Sequence, residues 1–236
     1  FCPGGDFLKK IKKLFRFILL LILIAAGAVV WLGYDKYQKA LEELPLDIAV
    51  DEIINEKNYT YITDLPDIYK KAVVAVEDRR FYYHSGFDII GTGRAIITDI
   101  KTKSLAEGGS TITQQLAKNM YFPADSTPQR KIAEIFMAFN MEREYSKDEI
   151  LELYFNVIYY GSGYYNIHDA AIGYFGKLPK DMSDYESTLL AGIPNAPSVY
   201  SKNSVLAESR QKKVLKSMVD CGYLSKEESE KILNER

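Results

Sequence analysis

Sixteen consecutive positions, 17 to 32, read Phe-Ile-Leu-Leu-Leu-Ile-Leu-Ile-Ala-Ala-Gly-Ala-Val-Val-Trp-Leu without a charge. At about 1.5 Å of rise per residue, this run with Gly33 and Tyr34 makes a helix of roughly 27 Å, close to the hydrocarbon thickness of a bilayer. It is apolar on every face, which favours a membrane span over an amphipathic core helix. Trp31 and Tyr34 stand where an interfacial aromatic belt lies. Lys9, Lys10, Lys12, Lys13 and Arg16 precede the run against one acid, Asp6, whereas Asp35, Lys36, Lys39, Glu42, Glu43 and Asp47 follow it. The positive-inside rule then predicts a cytoplasmic basic tail over 1–16, a transmembrane helix over 17–34 and everything beyond outside. A cleaved signal peptide is the competing reading, but no small-x-small pair closes the run before the polar sequence begins.

Beyond the span the pattern is almost entirely helical. Residues 35–60 read as a connector, with a short helix near 36–43 and extended chain starting around Tyr59. From 61 onward a single domain is predicted. Pro66 suits the first turn of a helix carrying Ile68, Ala72, Val73 and Val76 on one face. Ser110 or Thr111 can cap a helix running to about Asn119. Thr127-Pro128 opens another, with Ile132, Ile135, Phe136 and Phe139 as its apolar stripe. Ser146-x-x-Glu149, Ser183-x-x-Glu186 and Ser225-x-x-Glu228 are capping boxes. Gly161, Gly192 and Gly222 are the expected stops of the helices that precede them. About eight helices with little strand signal predict a mainly α domain.

Composition narrows the function. The 236 residues carry 30 Lys and Arg against 32 Asp and Glu, with two His and two Cys. Two cysteines cannot make a disulfide framework, and two histidines make a His-rich zinc cage improbable, so no metal site is predicted. A pI near 5.9 argues against nucleic acid as a partner. Setting aside residues 1–34 leaves 25 basic and 31 acidic side chains. Overall charge does not draw an anionic ligand to such a domain; local Lys and Arg must.

Three segments carry candidate chemistry. In Glu77-Asp78-Arg79-Arg80-Phe81-Tyr82-Tyr83-His84-Ser85-Gly86 a carboxylate pair follows the apolar face from Ala72 to Val76. Desolvation where a hydrophobic wall ends makes a carboxylate a better proton acceptor, which suits a general base. Spacing alone favours a solvated helix end with an Asp/Arg surface pair. In Gly108-Gly109-Ser110-Thr111-Ile112-Thr113-Gln114-Gln115-Leu116-Ala117-Lys118-Asn119, helical winding sets Thr111, Gln115 and Lys118 on one side and Ile112, Leu116 and Met120 on another. A helix N-terminus behind two glycines can hold an anionic oxygen ligand, and no Walker loop is present. Arg130-Lys131-x-x-Glu134 places a cation and a carboxylate four residues apart, either as a surface ion pair or as the lining of a cleft that binds phosphate bidentately.

Taken together and in this order, the three segments resemble the peptidoglycan glycosyltransferase family, glycosyltransferase family 51, which comprises monofunctional transglycosylases and the N-terminal domains of class A penicillin-binding proteins. Glu77, Asp78, Phe81, His84 and Gly86 meet its Glu-Asp-x-x-Phe-x-x-His-x-Gly pattern. Residues 108 to 115 meet Gly-x-Ser-Thr-Ile-Thr-Gln-Gln, with Lys118 and Asn119 following. Arg130, Lys131 and Glu134 meet Arg-Lys-x-x-Glu. Further matches fall at Ser146 to Glu152 with Tyr154 and Asn156, at Tyr174-Phe175-Gly176-Lys177, and at Leu190 to Pro194 with Ala196-Pro197-Ser198. Phe155 stands where Leu is usual, Asn166 where Gly is usual, and Ser126 where many relatives carry a basic residue.

The resemblance implies a lysozyme-like, two-lobed helical fold in a bacterial cell membrane. It implies polymerisation of lipid II by an inverting mechanism, with release of undecaprenyl diphosphate and sensitivity to moenomycin. Glu77 is then the general base and Glu134 the second catalytic carboxylate, on the donor side. Asp78, Phe81, His84, Gly109, Ser110, Thr111, Gln114, Gln115, Lys118, Asn119, Arg130 and Lys131 surround the substrate. No cofactor is required, although a divalent cation, Mg²⁺ or Mn²⁺, stimulates some relatives. Partners are lipid II, the growing strand, membrane lipid and transpeptidases or other cell-wall synthesis proteins. Residues 99–109, with weak periodicity and paired glycines, are expected to move without substrate. A lytic hydrolase, an inactive scaffold and the front half of a bifunctional protein are the rival readings. The Ser209-x-x-Lys212 match to an acyl-serine nucleophile lies on a charged stretch and reads as coincidence.

Overall fold

A computed structural model of the chain describes residues 4–102, 109–123, 125 and 127–235. Among the described residues the regular structure is helical: α1 (Gly4–Glu43), α2 (Leu46–Ile54), α3 (Asp67–Glu77), α4 (Ile89–Thr102), α5 (Ile112–Tyr121), α6 (Pro128–Glu144), α7 (Lys147–Val157), α8 (Ile167–Phe175), α9 (Asp184–Gly192), α10 (Pro197–Tyr200), α11 (Ser204–Asp220) and α12 (Lys226–Asn234). The only β pairing among them is an isolated bridge between Gly161 and Tyr164. The mainly α reading with one N-terminal apolar helix therefore stands.

Local chemistry explains most boundaries. Thr111, Ser146, Ser183 and Ser225 each accept a hydrogen bond from the backbone N–H three residues on, and Gln114, Glu149, Glu186 and Glu228 reach back to close the capping box. Thr127 caps α6 with Pro128 in its first turn. Asn166 caps α8, and Gly176 ends it in the left-handed conformation.

Four features differ from the sequence reading. The membrane run and the short helix expected near 36–43 are one helix, α1, long and apolar enough to cross a membrane by length and composition. The rest of the stretch read as a connector holds α2, whose Leu46 and Val50 join the core. Helix α7 stops at Val157, four residues before Gly161, because Ile158 turns to extended backbone. The fourth difference concerns α6. Its buried face is Ala133, Glu134, Met137, Ala138 and Met141, not the predicted stripe of Ile132, Ile135, Phe136 and Phe139. That stripe receives α1 instead: Phe136 meets Tyr34 edge-on at 5.2 Å between ring centres, and Phe139 remains 46% exposed. A helix clamped between a core and a second helix is apolar on two sides, so periodicity alone cannot say which is the core.

The core runs continuously from α2 to α12 around the buried rings of Tyr69, Tyr154, Phe155 and Tyr160. Tyr69 and Tyr160 join their hydroxyls at 2.7 Å, which satisfies two polar groups that burial would otherwise strand. Helices α3, α9 and α11 pack on one another, as α5 does on α6 and α7 and α1 does along α6. Between the two groups lies the cavity described below. Ser126 and residues 103–108, where the departure from the basic pattern and most of the expected moving segment fall, lie outside the described residues.

Candidate active site

A cavity of about 430 Å³ opens where α3 ends. Glu77 and Asp78 line it from the α3 terminus. Gly109, Ser110 and Thr111 line it from the start of α5, Arg94 from α4, and Arg210 and Lys213 from α11. Four basic side chains, with Arg79 the fourth, therefore gather in a domain whose net charge is negative.

Glu77 is the last residue of α3, so its side chain leaves the apolar face and enters this space. Its carboxylate is held on both sides. Gln115 Nε2 donates to Oε2 at 3.0 Å, and Arg210 reaches Oε1 at 3.4 Å. The Gln115 amide is oriented by its other end, which accepts the Tyr154 hydroxyl at 3.2 Å. Burial, with the Glu77 charge adding to it, raises the Tyr154 phenol well above its ordinary value, so it remains a donor. Arg210 has room to reach Glu77 because Gly192 faces it. A Cβ there would lie 3.0 Å from Arg210 Cγ.

Asp78 is buried, and its Oδ2 accepts from the Ile112 N–H at 3.1 Å and from His84 Nε2 at 2.9 Å. It satisfies the first orphan donor of α5 and fixes the start of that helix against the end of α3. His84 is spent on this contact. Phe81 is fully buried with the Lys147 ammonium 4.4 Å from its ring centre, so it shapes the turn and does not line the cavity. Gln114 serves the Thr111 capping box, and Asn119 donates to the Gln115 carbonyl at 2.9 Å. Lys118 is half-buried on α5 and makes no ion pair among the described residues.

Gly86 has a structural reason. Its φ of +92° is left-handed, and a Cβ would lie 2.9 Å from the Ala138 carbonyl carbon of α6. Thr111 Oγ1 donates to its carbonyl at 2.8 Å. Gly86→Ala should therefore destabilise the chain by about 2–4 kcal/mol, combining backbone strain with overpacking. Denaturant unfolding of the detergent-solubilised chain measures this; a loss below about 1 kcal/mol would mean that the α6 backbone yields.

Glu134 lies one step behind the cavity. Only 1% of it is exposed, on the buried face of α6. Lys131 Nζ donates to Oε2 at 2.8 Å, and Arg130 Nε stands 3.0 Å from Oε1, close but out of line for a hydrogen bond. Lys131 Nζ also donates to Ser110 Oγ at 2.6 Å, and Ser110 lines the cavity beside Glu77. The two predicted carboxylates thus share one neighbourhood, but only Glu77 meets the cavity directly.

Sequence reasoning missed Arg210, Lys213 and Arg94. The stretch around Ser209 to Lys212 reads as a charged, exposed face. Ser209 and Lys212 are exposed, but the Arg210 side chain is only 14% exposed and turns to Glu77. The one available signal was its place on α11 beside the core residues Ala207, Gln211 and Val214.

Residues 48–219 match the family described as Transglycosylase. The chain belongs to that family. It is 39% identical to penicillin-binding protein 1F of Bacillus subtilis over 93% of its own length, and spans about a third (34%) of that relative. It is 42% identical to a monofunctional glycosyltransferase of Staphylococcus saprophyticus, covering 81% of this chain and 75% of that one. Among solved structures it matches the crystal structure of penicillin-binding protein 1A from Haemophilus influenzae, with 24% identity, a TM-score of 0.44, 75% of this chain covered and 17% of that one.

Proposed function

We propose that this transglycosylase-family chain is a membrane-anchored peptidoglycan glycosyltransferase that polymerises lipid II into β-1,4-linked glycan, with Glu77 as general base. The observation that carries the reading is the placement of Glu77: a carboxylate at the lip of a cation-lined cavity, gripped by Gln115 and Arg210. Its proton acceptance is then pre-aimed, and the cations meet an anionic leaving group.

The 4-hydroxyl of the incoming lipid II gives its proton to Glu77 as its oxygen attacks the anomeric carbon of the growing strand. The bond from that carbon to the diphosphate breaks on the opposite face, so the configuration inverts and the electron pair leaves with the diphosphate. Arg130 and Lys131, with Lys118 nearby on α5, take up the charge that develops there, and Arg suits a two-point contact with phosphate oxygens. Glu134 is a positioning residue in this scheme, because it acts through the two cations packed on it. Asp78, His84, Phe81 and Gln114 hold the α3 end and the α5 start in register, and Asn119 braces the turn of α5 that carries Gln115. Arg94 and Lys213 add positive potential to the mouth of the cavity.

Stimulation by Mg²⁺ or Mn²⁺ would bring charge to the diphosphate, but these residues do not form a cage for it. Both Glu134 oxygens already face cations, and among the described residues no three His, Cys, Asp or Glu side chains gather. The charge asymmetry around α1 supports an N-terminus in the cytoplasm and a catalytic domain outside. Transpeptidases, as enzymes that consume the glycan product, are the partners this activity calls for.

Product gels of purified chain with labelled lipid II test the proposal. The expected result is a ladder of glycan strands that moenomycin abolishes, with finished glycan left uncut. Cleavage of finished glycan without lengthening of lipid II would make the chain a hydrolase.

A further inference from the structure

Lys36 lies on α1 just past the apolar run, and outside the stretch that matches the family. It nevertheless reaches the proposed donor side. Gly33 brings α1 close to α6: a Cβ at that position would lie 2.4 Å from Ile132 Cβ, so α1 is seated here by intimate backbone approach. Three residues on, Lys36 Nζ stands 2.5 Å from Asp125 Oδ2. That oxygen is buried and has no aligned hydrogen-bond partner, so the ion pair is what compensates it.

Two further contacts of Asp125 reach the start of α6. Its Oδ1 accepts the Thr127 N–H at 2.7 Å, and its main-chain carbonyl accepts from an Arg130 guanidinium nitrogen at 2.6 Å. Arg130 in turn stands against Glu134. The ammonium of Lys36 and the Thr127 hydrogen bonds hold the Asp125 carboxyl well below the usual carboxylate range.

We propose that Lys36 is a positioning residue for Arg130: it pins Asp125, whose carbonyl fixes the guanidinium that meets the leaving diphosphate, and so ties the seat of the membrane helix to the donor side. This rests on the reading of Arg130 as a diphosphate contact. A plain structural role for the Lys36 pair would change stability and leave turnover alone. A lysine serving only to anchor α1 at lipid headgroups would act without Asp125. The geometry ties Lys36 to catalysis through a single residue, which makes the link separable by substitution.

The test uses the full chain in lipid II polymerisation, with melting temperature measured in parallel. Lys36→Met and Asp125→Asn should each lower kcat about ten-fold with KM within about two-fold, since misaiming a charge-stabilising group affects the transition state most. Asp125→Asn keeps the carbonyl and an oxygen for Thr127, so it removes only the ion pair. Lys36→Arg should recover most of the rate. In an Arg130→Ala background, Lys36→Met should cost nothing further, because the two act as one unit. Wild-type kcat in Lys36→Met, a loss in Lys36→Met without one in Asp125→Asn, or a full further loss in the Arg130→Ala background would each overturn the proposal while leaving the donor-side reading intact. A wild-type rate in Arg130→Ala would overturn that reading and this proposal together.

Discussion

Glu77→Gln lowers the rate of glycan polymerisation by about 10²–10⁴-fold, the range that a positioned proton acceptor contributes. The substitution keeps the shape of the side chain. An amide oxygen can still accept from Gln115 or Arg210, and the α3 terminus is held independently by Asp78 through Ile112 and His84. The fold should therefore survive, with a melting temperature within a few degrees of the unsubstituted chain. Moenomycin binding should persist as well, which separates lost chemistry from a lost site. Initial rates on labelled lipid II, with moenomycin titration as the control, make the measurement. A rate within about five-fold of the original would remove Glu77 from the role, since amides do not accept protons at these pH values.

The capping boxes at Ser146, Ser183 and Ser225 were legible because each is a local hydrogen-bond contract, written in residues three apart, whereas at α5 the pattern left Ser110 and Thr111 as alternative caps and the structure selects Thr111. The same signals existed for α8, in Asn166 ahead of it and Gly176 behind, but both positions read as parts of a motif. Helix α2 was illegible for another reason. Its entry residue is Pro45, with no side-chain cap, and only nine residues follow. At the candidate site the clustered motifs marked Glu77, Ser110 and Lys131, because neighbours in sequence became neighbours in the cavity. Arg210 was not legible. It lies 133 residues from Glu77, on a helix whose surrounding charges are exposed. Which of several cations turns inward is decided by packing against α3 and α9, and a linear pattern carries no trace of that.

Glu134→Gln slows polymerisation by about 10²-fold, the size expected when charge-stabilising groups lose their aim by an ångström or so. The loss should fall on kcat across the whole pH range. The reason is where the carboxylate sits: both oxygens face Arg130 and Lys131, and Lys131 alone carries the link to Ser110 at the cavity wall. A neutral amide keeps the volume but releases one or both cations, so the diphosphate leaves less easily. Stability should change little, by under about 2 kcal/mol, because removing a buried charge relieves desolvation as it breaks the pair. The pH profile distinguishes a positioning residue from a reacting one. If Glu77 is the base, Glu134→Gln lowers kcat without changing the shape of its acid limb. If that limb vanishes in Glu134→Gln and stays in Glu77→Gln, the two carboxylates exchange roles. In that case α6, not α3, presents the proton acceptor, and the buried position of Glu134 has to open during turnover.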